Sequence, residues 1–351
     1  MLAIVAFLVL LLWPEALIGP SFQFSFAAVL AIIALSQSAP VRRFLSAREE
    51  GWLKRTGRNL AMIFLTGLVI EFALMPIGLY HFHKAGFYGA FANVIAIPLT
   101  TVVVMPLIAG SLLLDLVGIG APGWWLVDQA LKGLLGLAHW VSAQPGAVTR
   151  MPAMGGGSFL LFVAGGLWLA LWRGRIRLWG LVPAAIGIIS LAGLQPPDVL
   201  ISRDGRHVGI TDPDTGDLLI LRDGRSSYAK DHLTELSGMS GAVRLLPEWE
   251  GARCNADFCS VRMNREGRRW SVLISRGRDF VPERALAAAC ERSDIVIADR
   301  WLPASCRPRW LKADKALLRR EGGLSIDLQA GKVPSVRQSL GQHGWSQLSH
   351  H

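Results

Sequence analysis

Seven apolar blocks occupy most of the first 194 residues, at about 2–13, 22–38, 59–79, 88–109, 123–143, 157–172 and 178–194. A helix of roughly 20 apolar residues covers a bilayer core and satisfies its own backbone hydrogen bonds where no water reaches. Charge is spread to match. Residues 1–194 hold 12 Lys/Arg and 6 Asp/Glu, whereas residues 195–351 hold 24 and 20. The chain therefore reads as a polytopic α-helical membrane bundle, residues 1–194, about seven helices, followed by a soluble α/β or α+β domain, residues 195–351.

The first block ends at Trp13-Pro14 and is short for a crossing. A cleaved signal peptide is the competing reading, opposed by the absence of a basic start and of a clean small-x-small site. Orientation follows from the basic loops, because Lys and Arg collect on the cytoplasmic side. One loop carries Arg42, Arg43, Arg48, Lys54, Arg55 and Arg58, another Arg173, Arg175 and Arg177. Four blocks lie between them, so both can share the cytoplasmic side, with Lys84 and Arg150 on the outer turns. Seven crossings then place the amino terminus in the cytoplasm and the tail domain in the periplasm of a bacterial inner membrane.

All four cysteines, Cys254, Cys259, Cys290 and Cys306, fall in that outer domain. An even count in an oxidising space favours disulfides, although four cysteines permit three connectivities. The short spacing in "CNADFC" suits a local bridge and leaves Cys290 and Cys306 as the other pair. Neither C-x-x-C nor a neighbouring His pair is present, so no metal and no cofactor are expected.

Within the fourth block, "FANVIAIPLTTVVVMP" (91–106) places Asn93, Pro98, Thr100 and Thr101 among apolar residues. Proline removes a backbone donor and crowds the carbonyl four residues earlier, here that of Val94. A kinked or discontinuous helix is expected, either as a bent packing element or as the wall of a path onto which Asn93, Thr100 and Thr101 present polar groups. Gln23, Ser25 and Glu71 are further channel-lining candidates, with Glu71 able to reach interfacial water instead; Asp115 suits an inner loop. "WWLVDQALKGLLGLAHW" suits the membrane interface or the bundle interior, and parity favours a crossing.

The stretch "PEALIGPSFQFSFAAVLAI" (14–32), through Pro14, Gly19, Phe22, Gln23, Ser25 and Phe26, together with Asn93 and Pro98, resembles two signatures of the ComEC family of competence proteins. The resemblance covers most of residues 1–194 and, more loosely, the outer domain. It implies an inner-membrane channel for single-stranded DNA in natural transformation. That family normally has further membrane segments and an OB-like domain before the first motif, so a shortened chain or a separate chain supplying that half is expected. Many members also carry a metallo-β-lactamase-like tail with a His-x-His-x-Asp-His metal signature. Here only "KDH" (230–232) remains, too few ligands for a two-metal hydrolytic site.

The tail is thus expected to resemble a degenerate form of that fold without nuclease activity. Its strand-like runs alternate with the helical "YAKDHLTELSG" and "PERALAAACER", and "NREG" reads as a hairpin turn. Arg268, Arg269, Trp270, Arg309 and Trp310 are candidate DNA contacts, since cations neutralise phosphates and aromatic rings stack bases. The expected partners are single-stranded DNA, membrane lipid, other competence-machinery proteins and a second copy of the chain. A small-molecule or ion transporter and a membrane-anchored hydrolase are the rival classes. The first predicts an internal symmetry that the sequence does not show.

Overall fold

A computed structural model describes residues 1–46, 51–224, 227–239, 241–265, 267–277 and 279–340. Arg48 of the first basic loop, Glu266 of the "NREG" turn and the terminal His pair lie outside the described residues. The chain forms two compact units, one of residues 1–149 with 154–193, the other of residues 150–153 with 194–351.

The first unit is helical: α1 (Leu2–Leu12), α2 (Pro20–Ser36), α3 (Ala39–Leu45), α4 (Trp52–Phe82), α5 (Gly89–Pro98), α6 (Met105–Asp115), α7 (Ala121–Ser142), α8 (Gly156–Leu171) and α9 (Leu181–Ala192). Two short strands, β1 (Lys84–Gly86) and β2 (Val148–Arg150), pair with each other. Every expected apolar block contains a helix. Among the described residues, three helical stretches are long and apolar enough to cross a membrane: Trp52–Phe82, Gly89–Asp115 and Arg175–Ala192. The helices α1, α2 and α8 are apolar but shorter. Helix α7, which parity required as a crossing, is not among the three; its exposed face carries the Asp128–Lys132 ion pair at 2.7 Å.

Hydrogen bonds between the helix ends fix their order. Arg173 Nη2 donates to Gln37 Oε1 at 3.2 Å, joining the ends of α2 and α8, and Arg58 Nη1 donates to Ser46 O at 3.4 Å, joining the beginning of α4 to the end of α3. At the opposite end, Tyr88 Oη donates to Pro145 O at 3.2 Å and β1 meets β2. The described parts of both basic loops therefore share one end of the unit. Small residues let helices approach closely. A Cβ on Gly180 would lie 2.7 Å from Gly165 O, and one on Gly67 3.3 Å from Ala90 Cα.

The second unit stacks two mixed five-stranded sheets. The strands are β3 (Val199–Ile201), β4 (Val208–Asp212), β5 (Asp217–Ile220), β6 (Val243–Leu245), β7 (Ala252–Cys254), β8 (Phe258–Arg265), β9 (Arg268–Ser275), β10 (Ile295–Ile297), β11 (Leu311–Ala313) and β12 (Leu324–Ile326). One sheet has the order β12-β3-β4-β5-β6 and the other β11-β10-β9-β8-β7. Their facing side chains, including Val199, Ile210, Leu219, Val261, Ile274 and Ile297, form one dry core. Burying each such aliphatic group stabilises the fold by about 1.5–3 kcal/mol.

Helix α10 (Ser227–Ser237) covers one outer face, where Leu233 meets Leu200, Leu218 and Ile220. Helix α11 (Glu283–Glu291) covers the other through Leu286 and Cys290 against Leu273 and Val296. Two more helices follow, α12 (Lys315–Glu321) and α13 (Val336–Leu340). The layers thus run helix, sheet, sheet, helix, which is an α/β architecture. A partly buried ion pair joins the sheets: Arg265 Nε reaches Asp198 Oδ1 at 2.5 Å, and Leu328 N–H donates to Asp198 Oδ2 at 2.7 Å. The expected hairpin forms from β8 and β9, with Gly267 in the left-handed region at φ 77°.

Cys254 is joined to Cys259 across the β7–β8 pair, and Cys290 to Cys306. The second bridge closes a separation of 16 residues and the first only 5. Cross-linking lowers the entropy of the unfolded chain more for the longer loop, by about 3 kcal/mol at this length. The Cys290→Ala/Cys306→Ala variant is therefore expected to lower the denaturant midpoint of the outer unit more than Cys254→Ala/Cys259→Ala, as read by near-ultraviolet circular dichroism of the full chain.

Candidate functional site

The residues of "FANVIAIPLTTVVVMP" do not break the helix. Helix α5 passes from Pro98, at φ −60° and ψ −43°, into a π-helical stretch Leu99–Val104 and then into α6, giving one 27-residue helix. The expected discontinuity is thus corrected. Pro98 and Pro106 cannot donate, and the backbone accommodates them by widening its register, so that Met105 N–H donates to Thr100 O five residues back. Thr100 is half-buried and Thr101 exposed within this stretch.

Glu71, half-buried on α4, has both carboxylate oxygens turned to the first turn of α5. Gly89 N–H donates to Oε1 at 3.2 Å and Ala90 N–H to Oε2 at 2.7 Å. These are backbone donors that a helix start leaves without intrahelical partners. Glu71 therefore fastens α5 to α4, rather than reaching for interfacial water as the sequence allowed. Helices α2, α4 and α5 border a cleft of about 700 Å³ whose wall is mostly apolar and includes Phe24, Glu71, Asn93 and Ile97. Asn93 is exposed there, and among the described residues its amide has no hydrogen-bond partner. The structure thus brings Glu71 and Asn93 to the wall of one cleft, whereas Pro98 lies just beyond its lining, after Ile97.

Gln23 works at the end of this assembly. Its Nε2 donates to Leu17 O at 3.0 Å, and its Oε1 accepts from His81 Nε2 at 2.8 Å. It ties α2 to the end of α4, while Ser25, two residues on, is exposed. Asp115 closes the turn from α6 to α7, with Trp124 Nε1 donating to its Oδ2 at 2.6 Å. His81, which also packs edge-on against Phe159, escaped the sequence reading because a lone histidine near a helix end carries no pattern.

The base contact expected at Trp270 in the outer unit needs correction, whereas Trp310 is half-buried. Trp270 is 4% exposed and belongs to the core between the sheets, Trp310 leans on it at 5.1 Å between ring centroids, and Arg268 covers its face at 4.0 Å. A ring so enclosed cannot stack a base. Arg268, Arg269 and Arg309 are exposed.

A different basic surface exists. A cleft of about 640 Å³ is lined by Arg203 and Arg206 from the β3–β4 turn, Arg300 after β10, and Lys315 and Arg319 of α12, with Asp204 and Asp299 beside them. Gly205 stands at its base at φ 69°, where an added Cβ would lie 2.8 Å from Ala298 O. Burial pushes the Asp204 carboxyl up, but hydrogen bonds from Ser202 and from the Arg206 and His207 N–H groups, together with the nearby His207 ring, outweigh it and hold the group below its ordinary value. Nothing in the sequence analysis pointed to Arg203 and Arg206, which stand in the turn of the antiparallel pair β3–β4.

The "KDH" residues are engaged in surface pairs, Lys230 with Asp223 at 3.6 Å and His232 with Glu235 at 3.7 Å. Among the described residues no three His, Cys, Asp or Glu side chains stand together as a metal cluster.

The Competence protein family model matches residues 1–176, half of the chain. The chain belongs to the competence protein family. The match spans both stretches, 14–32 and 91–106, on which the resemblance rested. A curated relative, uncharacterized protein YcaI of Escherichia coli strain K12, is 29% identical over 331 residues, which cover 76% of this chain. The chain spans only 41% of that relative's length. No solved structure matches. Family membership and the apolar helices make this competence protein a membrane protein.

Proposed function

We propose that this competence protein forms part of an inner-membrane channel that takes up single-stranded DNA during natural transformation. Its match to the family over residues 1–176 carries that reading. The cleft beside Asn93 supports a polar route at membrane depth, since an amide without a partner in an apolar wall is costly unless it meets water or cargo. Both basic loops at one end support a cytoplasmic amino terminus by the positive-inside rule. Two disulfides in the outer unit support a periplasmic position for residues 195–351. The layered outer unit is a degenerate metallo-β-lactamase-like domain that binds rather than cleaves, working with other competence-machinery proteins.

In a competence-null strain complemented with this chain, Asn93→Leu is expected to lower transformant number by at least about tenfold, as 1.4 kcal/mol of lost stabilisation would, with unchanged protein abundance. In the same background, Asn93→Cys should react with a membrane-impermeant thiol reagent. Normal transformation by Asn93→Leu together with an unreactive Cys at 93 would refute the conduit.

A further inference from the structure

We propose that the outer unit holds the phosphodiester backbone of single-stranded DNA in the cleft of Arg203, Arg206, Arg300, Lys315 and Arg319. The choice of DNA over another polyanion rests on the function proposed above; the anion site itself rests on the cleft. Five cations face two acids, of which Asp299 has a buried side chain and Asp204 is exposed but engaged within its own turn. Asp299, with its side chain 8% exposed, accepts from Ser275 Oγ at 3.2 Å and lies 4.0 Å from Arg206 Nε. Asp204 is held within its own turn by Ser202, by Arg206 N–H at 2.9 Å and by His207 Nδ1 at 3.2 Å.

Arg203, Lys315 and Arg319 are exposed, and among the described residues they have no acidic partner. Some exposed cations elsewhere on this unit find one among the described residues, as Arg244 does with Asp217 at 2.9 Å and Arg320 with Glu321 at 3.0 Å, and others such as Arg262 do not; what distinguishes Arg203, Lys315 and Arg319 is that they line one cleft together. Unneutralised positive charge in a concave, low-dielectric wall focuses potential on an incoming anion. The wall is also preformed, because the Ser202–His207 turn is hydrogen-bonded throughout and Gly205 seats it against Ala298.

Aromatic rings supply the second element. Arg300 donates from Nη1 to Asp279 O at 2.9 Å and from Nη2 to Gly277 O at 2.6 Å. This tethers the segment leading to Phe280, which is 91% exposed, to the strand end leading to Trp301, which is 58% exposed. Single-strand binders combine a cationic groove with exposed rings on which bases stack. Trp301 and Phe280 are free to serve in that way, whereas Trp270 is not.

The test uses the full chain in zwitterionic phosphatidylcholine nanodiscs and the anisotropy of a labelled single strand of about 20 nucleotides, long enough to fill such a site. Arg203→Gln/Lys315→Gln/Arg319→Gln is expected to raise Kd at least about tenfold and to reduce the salt slope by about 2, at about 0.7 per lost phosphate contact. Trp301→Ala should raise Kd about fivefold or more without changing that slope. Arg203→Lys/Arg319→Lys should retain binding, and Arg268→Gln/Arg309→Gln, two cations removed elsewhere, should alter Kd less than about twofold because distant charges are screened.

Wild-type affinity and slope in the triple Gln variant, or no binding by the wild type, would overturn the proposal. So would a triple variant that loses attachment to phosphatidylglycerol vesicles but keeps DNA, since the cleft would then serve lipid headgroups. Should purified chain bind DNA through this cleft while the Asn93→Leu strain transforms normally, the conduit falls and the cleft stands. The reverse combination removes the cleft alone.

Discussion

Glu71→Leu is expected to cost about 3 kcal/mol or more, because two backbone donors, Gly89 N–H and Ala90 N–H, lose a carboxylate acceptor at a helix start, and bonds to charged groups contribute about 1.5–3 kcal/mol each. Ala90 is 1% exposed and cannot recruit water in exchange. The loss should appear as a lower melting temperature of the full chain in detergent and as reduced abundance in cells. Glu71→Gln keeps one acceptor and should fall between the two. The contrast with Asn93→Leu is diagnostic: the asparagine variant keeps its abundance and loses transport, whereas the glutamate variant loses the helix pair itself. Equal stability of Glu71→Leu and wild type would show that α5 is held by packing against Gly67 alone.

Gly205→Val should destabilise the outer unit by several kcal/mol. A left-handed backbone disfavours a side chain by about 1–2 kcal/mol, and forcing atoms into a filled site adds about 1–3 kcal/mol. The added Cβ would lie 2.8 Å from Ala298 O, 2.9 Å from Leu318 Cδ1 and 3.1 Å from Asp299 Cα. Gly216→Ala is the matched control. Gly216 also has a positive φ, 73°, but nothing lies within 4 Å of its would-be Cβ, so only the backbone cost applies. Guanidinium midpoints of the two variants should therefore differ clearly, and Gly205→Val should also weaken single-strand binding by displacing Arg203 and Arg206.

Helices and their order were legible in the sequence because apolar runs of membrane length have few other fates, and because six of the cations in one loop and three in the other mark one end. Cysteine pairing was legible for the same elementary reason, a short spacing that leaves one remaining pair. The path of the backbone past Pro98 was not. Proline forbids a donor but does not dictate whether the chain bends, breaks or widens its register, and the widened stretch packs against α7, a neighbour that no local spacing announces. Trp270 was misjudged because an aromatic among arginines looks the same on a surface as it does one pleat deeper; only the register opposite Met263 decides which face it takes. The basic cleft was illegible because Arg203 and Arg319 are brought together by the sheet order, with β12 beside β3, rather than by any local spacing. Four strands of three residues, β6, β7, β11 and β12, offered too little alternation to be seen.

The widened winding at Leu99–Val104 carries a consequence for how this helix tolerates change in length. Such a stretch holds one residue more than ordinary winding would need over the same rise. Losing a single residue there would relax it to ordinary winding and leave Met105 onward facing as before. A deletion anywhere else along Gly89–Asp115 would swing everything beyond it by about 100° around the axis, turning lipid-facing leucines toward their neighbours.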